Sequence, residues 1–177
     1  MTEGLRLPLD LSLPGGANRV NAMAALAAAV RLGVPPGPAV EAMRGIADVA
    51  GRYALVEHSR HQVRLILAKN PASWLEALAA VAETESPVVL AFNSEGVDGR
   101  DPSWLYDVPF THLHGRRVTV TGRRATDMLV RLEMAGLTDV HEAPDLTSAI
   151  TAQPTAAVEI IANYTAFQDA RKLLGRG

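Results

Sequence analysis

From Gly51 onward, short runs rich in β-branched residues alternate with segments that carry helical signals, and this order constrains the fold more than any other feature of the chain. YALVEH (53–58) and VRLILA (63–68) read as two short strands joined by the polar SRHQ. Asn70-Pro71 is a cap followed by proline at a first helical position, and the helix runs from 71 to 84. Trp74, Leu75, Leu78 and Val81 fall on one face of it at helical spacing. PVVLAF (87–92) is a third strand and VTVT (118–121) a fourth. A helix over 124–135 follows and ends at Gly136. A strand at 139–142, a helix at 145–152, the strand AAVEIIA (156–162) and a helix from 165 complete the pattern. Strands that alternate with helices predict a mostly parallel, Rossmann-like α/β sheet with helices on both faces.

The first 49 residues differ. SLPGGANRV (12–20) is a turn with one proline and two glycines, ahead of an alanine-rich helix over 18–32 that Gly33 can end. PPGP (35–38) starts a second helix over 38–47. Two helices behind a turn are too little to fold alone, so this section is expected to be the end of a preceding domain. The domain boundary is placed between residues 49 and 50.

Composition narrows the functions. With 177 residues and 48% hydrophobic content the chain can build a core. A net charge of -2 without long Lys or Arg runs argues against nucleic acid or an anionic membrane as the main partner. The absence of cysteine removes disulfides, thiolate metal sites and a cysteine nucleophile from this chain. AMAALAAAV is too short to span a bilayer, and MTEGLRLPLD lacks the order of a signal peptide, so the chain is expected to be cytoplasmic. The five histidines (58, 61, 112, 114, 141) have no zinc spacing and are expected at the surface; no metal ligand is assigned.

In an open parallel sheet, ligands bind beyond the carboxyl ends of the strands. Polar residues gather at four such ends: Lys69-Asn70, Asn93 with the loop that follows it, Thr121-Gly122-Arg123-Arg124, and Asn163-Tyr164-Thr165. Each has a structural alternative. Asn70 is a natural helix cap, Lys69 a solvated strand end, and Thr165 with Gln168 has capping-box spacing. Arg123 and Arg124 stand at a helix start, where the macrodipole disfavours each cation by ~0.3–1 kcal/mol. They suit either an anion or an ion pair with Asp127.

The loop DGRDPSWLYD (98–107) packs Asp98, Arg100, Asp101 and Asp107 around Gly99 and Pro102. Asp98-Gly99 is a good turn pair. Trp104 and Tyr106 either anchor the loop in the core or form a contact surface for another protein.

These residues carry a resemblance. LPGGANRVNAMAALAAAVRLGV (13–34) resembles the end of a Mur ligase central domain. GRY (51–53), LAKNPASW (67–74), DGRDPSWLYD, TGRRATDMLVRL (121–132) and NYT (163–165) together resemble the carboxyl-terminal domain of the MurT-type Mur ligases. The resemblance implies the ligase-like subunit of a lipid II isoglutaminyl synthase, which amidates the D-glutamate α-carboxyl of lipid II at the inner face of the membrane. It implies ATP and Mg as cofactors of the full-length protein and a GatD-like glutaminase as heterodimer partner. It further implies that Asp101 completes the partner's catalytic triad. Cofactor contacts are expected from Lys69, Asn70, Arg123 and Arg124, the two arginines meeting either nucleotide or muropeptide, and partner contact or loop support from Asp98, Arg100, Trp104 and Tyr106.

The chain also departs from the family. It has neither a GxxxxGK[ST] phosphate loop nor a four-cysteine zinc ribbon. Asn93-Ser94 replaces Asn-Asp, and Lys69 stands where other Mur ligases have histidine. The 177 residues alone are therefore expected to lack ligase activity. The rival readings are a non-catalytic docking module for the glutaminase and a domain of another Mur-type amino-acid ligase, such as a folate or cyanophycin relative.

Overall fold

The computed structural model describes residues 7–46, 48–49, 51–94 and 101–175. They fall into two compact units, Met1–Val49 and Ala50–Gly177. In the first unit, α1 (Gly16–Arg31) and α2 (Pro36–Arg44) pack against each other. Alanine-rich α1 buries none of its residues, and Val20 and Met23 lie open. Arg44 ties the unit together by donating to the Pro8 carbonyl at 3.0 Å and pairing with Glu41, while Ser12 donates to the Arg44 carbonyl.

The second unit is a six-stranded sheet in the order β1-β2-β6-β3-β4-β5. The strands are β1 (Tyr53–His58), β2 (His61–Leu67), β3 (Val88–Ala91), β4 (Val118–Thr121), β5 (Val140–Glu142) and β6 (Ala157–Ala162). Only β1 runs antiparallel, joined to β2 by a two-residue turn at Ser59-Arg60; every other neighbouring pair is parallel. The expected class, Rossmann-like α/β with a mostly parallel sheet, is the one observed.

Burial on both faces explains why the central strands read as unbroken apolar runs rather than alternating ones. Val88 and Leu90 join one core with Val118, Val120 and Ile161, beneath α3 (Pro71–Ala82) and α4 (Ala125–Met134). Val89 and Ala91 join the other, with Val63, Leu65 and Ile160, beneath α5 (Leu146–Thr151) and α6 (Tyr164–Leu173). Trp74, fully buried on α3, meets Phe110 edge-on at 5.7 Å between ring centroids.

Toward the amino-terminal end of the sheet, on the α3 face, Glu159 of β6 is buried and pairs with Arg64 of β2. Arg64 also donates to the Ala80 carbonyl and Arg116 to the Val81 carbonyl, so two arginines satisfy the last carbonyls of α3.

Three local expectations need correction. Leu75 is 46% exposed, because the buried stripe of α3 runs through Trp74, Ala77, Leu78 and Val81 and Leu75 falls beside it. His61 is buried: its Nδ1 lies 2.9 Å from the Thr155 carbonyl, and Arg60 donates to its Nε2. Thr165 does not cap α6. Asn163 does, accepting from the Ala166 N–H, which places the helix start one residue earlier than expected. Two single-turn 3-10 segments, Ser103–Asp107 and Phe110–Leu113, were also invisible to periodicity, which needs more than one turn to register.

Candidate functional site

The parallel order brings the carboxyl ends of β2, β6, β3 and β4 to one edge, as expected. The connection after β6 leaves to the α6 face, whereas those after β2, β3 and β4 lead to the opposite face. Connections that diverge from neighbouring strands open a crevice, the position at which α/β sheets take their ligands. By that rule the β6–β3 junction is a candidate ligand position, and the residues just past its two strands are the buried Asn163 and Asn93.

Asn93 is the hub of this edge. Its backbone N–H donates to Asn163 Oδ1 at 3.1 Å, and its Nδ2 donates to Asp169 Oδ2 of α6 at 3.1 Å. Its Oδ1 accepts from the Arg123 N–H at 3.1 Å. One buried amide thus links β3, β6, α6 and the start of α4, with its orientation fixed because the oxygen faces a donor. Gly122 makes the close approach possible. Its φ is +106°, and a Cβ there would stand 2.6 Å from the Phe92 carbonyl oxygen. Sequence reasoning gave Gly122 a close backbone approach; it missed Asp169, an exposed acid seventy-six residues from its partner with no local signal.

The expected nucleotide contacts divide. Asn70 is engaged in its own helix: its Oδ1 accepts from the Ser73 N–H and hydroxyl, and the Ser73 hydroxyl accepts from the Asn70 N–H, a closed capping box. Arg124 pairs with Asp127 one turn along α4, the alternative weighed for it. Arg123 contributes its backbone N–H to Asn93, and Lys69 stands exposed at the end of β2. Two of the four side chains, Asn70 and Arg124, are therefore engaged in local structure and take up the structural alternatives, a helix cap and a helix ion pair.

Asp98 and Arg100 lie outside the described residues. Asp101 stands exposed at the head of the first 3-10 turn, where its Oδ1 accepts from the Ser103 N–H at 2.9 Å. That bond, first from the Ser103 backbone and then from its side chain, holds the carboxyl below the ordinary carboxylate range. The group is an anion at neutral pH, turned outward. Trp104 is partly buried against Phe92, the first residue past β3, with ring centroids 5.9 Å apart. It anchors the turn beside the carboxyl edge of the sheet. Tyr106, 59% exposed, does not; its hydroxyl meets Met134 Sδ at 3.7 Å and its ring lies against Arg131. Among the described residues, no helix is long and apolar enough to cross a membrane.

Comparison with known proteins agrees with this architecture. Residues 67–167 match the family described as MurT ligase C-terminal. The chain is 31% identical over 131 residues to the lipid II isoglutaminyl synthase (glutamine-hydrolyzing) subunit MurT of Staphylococcus aureus, covering 71% of this chain and 30% of that protein. It is 26% identical over 174 residues to the subunit of the same name from Streptococcus pneumoniae, covering 93% and 39%. The chain thus spans about a third of the length of these relatives. Among solved structures, the folylpolyglutamate synthase of Thermotoga maritima superposes with a TM-score of 0.67 at 22% identity, over 98% of this chain and 42% of that one. The Mycobacterium tuberculosis folylpolyglutamate synthase complexed with ADP and AMPPCP gives 0.60 at 25% identity, over 96% and 42%. The fold is that of a Mur ligase carboxyl-terminal domain, and the chain belongs to the MurT ligase C-terminal family.

Proposed function

We propose that this chain is the carboxyl-terminal part of a glutamine-hydrolysing lipid II isoglutaminyl synthase, with residues 1–49 closing a preceding Mur ligase central domain. In the whole enzyme, ATP and Mg activate the D-glutamate α-carboxyl of lipid II at the inner face of the membrane. A separate glutaminase subunit supplies ammonia. The phosphate-binding motif for ATP is absent from these residues, so the chain alone is inactive as a ligase. Its own contribution is Asp101, lent to the glutaminase.

One observation carries this reading: in a member of this family, an ionised carboxylate stands outward on a hydrogen-bonded turn beside the carboxyl edge of the sheet. A glutaminase cysteine needs a histidine to take its proton, and the histidine needs a carboxylate to fix its tautomer and stabilise the imidazolium. That carboxylate can come from a second chain if its mounting is stiff. The rival reading, docking without chemistry, draws on the exposed Tyr106 of the same turn.

Asp101→Asn separates them in the full-length protein assembled with its glutaminase. Glutamine hydrolysis should fall on the order of 10³-fold or more. Complex formation should persist, and so should amidation of lipid II from added ammonium, which bypasses the glutaminase. Hydrolysis at the full rate in an intact complex would favour the docking reading.

A further inference from the structure

Arg131 of α4 lies far from Asp101 in sequence, yet it grips the turn that carries it. Its Nε donates to the Leu105 carbonyl at 2.9 Å, and its Nη2 donates to those of Tyr106 at 3.3 Å and Val108 at 2.9 Å. The guanidinium also lies 5.6 Å from the centre of the Tyr106 ring and 5.3 Å from that of Phe110. Three carbonyls of a short irregular segment are thus satisfied by one planar fork held between two rings. A lysine, a point donor on a flexible stem, cannot reproduce this.

The grip reaches Asp101 through the backbone. The Leu105 N–H, on the residue whose carbonyl Arg131 holds, donates to the Pro102 carbonyl at 2.9 Å. The next bond back runs from the Ser103 N–H to the Asp101 carboxylate. Leu105 is buried and Trp104 is wedged on Phe92, so the segment cannot rotate as a unit. The sequence from Asp101 to Val108 is one braced turn, held on Phe92 through Trp104 and on α4 through Arg131. A carboxylate that must meet a histidine on another chain loses most of its value if it wanders, because catalytic geometry tolerates displacements well below an ångström.

We infer that Arg131 is the positioning residue for Asp101, fixing the 3-10 turn so that the carboxylate is preorganised before the partner arrives. The inference rests on the proposed triad role of Asp101. It assigns to α4 a task in glutamine hydrolysis that its helix ion pair and core contacts do not require.

The test uses the full-length protein assembled with the glutaminase. Arg131→Lys should lower kcat for glutamine hydrolysis by roughly 10- to 100-fold. KM for glutamine should not change, since glutamine binds to the partner, and amidation from added ammonium should stay at the wild-type rate. In an Asp101→Asn background the same substitution should have no further effect on hydrolysis. A role confined to folding would instead lower the melting temperature and the yield of complex without this split or this non-additivity. Arg131→Met, which keeps the stem between the two rings but removes every donor, serves as the second variant if the lysine protein does not fold, and the same kcat loss is expected. Full kcat in a folded Arg131 variant, with Asp101→Asn inactive, overturns the positioning role alone. Full kcat in Asp101→Asn overturns the triad reading and the inference with it.

Discussion

Gly122→Ala should be among the most damaging single-methyl additions in the second unit. Gly122 follows β4 directly with φ at +106°, well past the left-handed region that L-residues tolerate. An alanine Cβ would stand 2.6 Å from the Phe92 carbonyl oxygen, 2.9 Å from its carbon and 2.8 Å from Asn93 Oδ1. These are backbone and hub atoms, not the free end of a flexible side chain. Two bonds run through the same contact, from the Arg124 N–H to the Phe92 carbonyl at 3.0 Å and from the Arg123 N–H to Asn93 Oδ1 at 3.1 Å. Backbone strain costs ~1–3 kcal/mol. Loss or stretching of the two bonds adds ~1 kcal/mol each. The total, about 3–5 kcal/mol, is a large part of the ~5–15 kcal/mol that holds a typical domain together. Gly115→Ala supplies the control, since φ there is +74° but nothing lies within 4 Å of the added methyl. It should cost only the left-handed penalty, ~1–2 kcal/mol. The assay is urea denaturation followed by intrinsic fluorescence. Both tryptophans, Trp74 and Trp104, lie in the second unit, so the signal reports that unit. Equal midpoint shifts for the two variants would refute the reasoning, because only the crowding against Phe92 and Asn93 distinguishes them.

Glu159→Gln should destabilise the same unit by roughly 1.5–3 kcal/mol, because the partly buried Arg64 loses its counter-charge and the charged hydrogen bond with it. The double change Arg64→Met with Glu159→Leu should recover much of that loss, and a fluorescence-detected urea midpoint unmoved by Glu159→Gln alone would contradict the assignment. Asp145 caps α5 by accepting from the Ser148 N–H at 2.7 Å, and that backbone bond is the main cause holding its carboxyl below the ordinary 3.8. A depressed folded value means that its contribution is complete above the unfolded value and vanishes as pH falls through the lower, folded one. Carboxyl NMR titration should place its midpoint below 3.8, and a midpoint at or above that value would show that the cap is not formed.

What the sequence disclosed and what it hid divide along the range of the interactions. The strands were legible because Val88 to Ala91 are buried on both faces, and no polar residue interrupts the run. The start of α3 was legible because Asn70, Pro71 and Ser73 are a local device whose bonds close within four residues. Thr165 and Gln168 show the limit of that logic. Their spacing is that of a capping box, yet Asn163 already supplies both the cap and the bond to Asn93, and the helix starts ahead of them. The buried His61 escaped for a related reason: its partner, the Thr155 carbonyl, arrives from a loop ninety-four residues away.

The candidate site sharpens the same point. Asp101 could be singled out from ten contiguous residues, and its local bond to Ser103 is of the kind that an Asp-Pro-Ser turn makes for itself. Arg131 could not be singled out. In sequence it is an ordinary cation in the last turn of α4, a position that the helix dipole alone favours. Its bonds to three carbonyls exist only because the fold lays that turn across the helix. In the proposed role the carboxylate is set locally and its precision by tertiary contacts, so an equivalent acid grafted onto a flexible loop should bind a partner histidine poorly. The two proposed properties are separable by mutation: changing Asp101 removes the charge, whereas changing Arg131 leaves the charge and removes three bonds to the turn behind it.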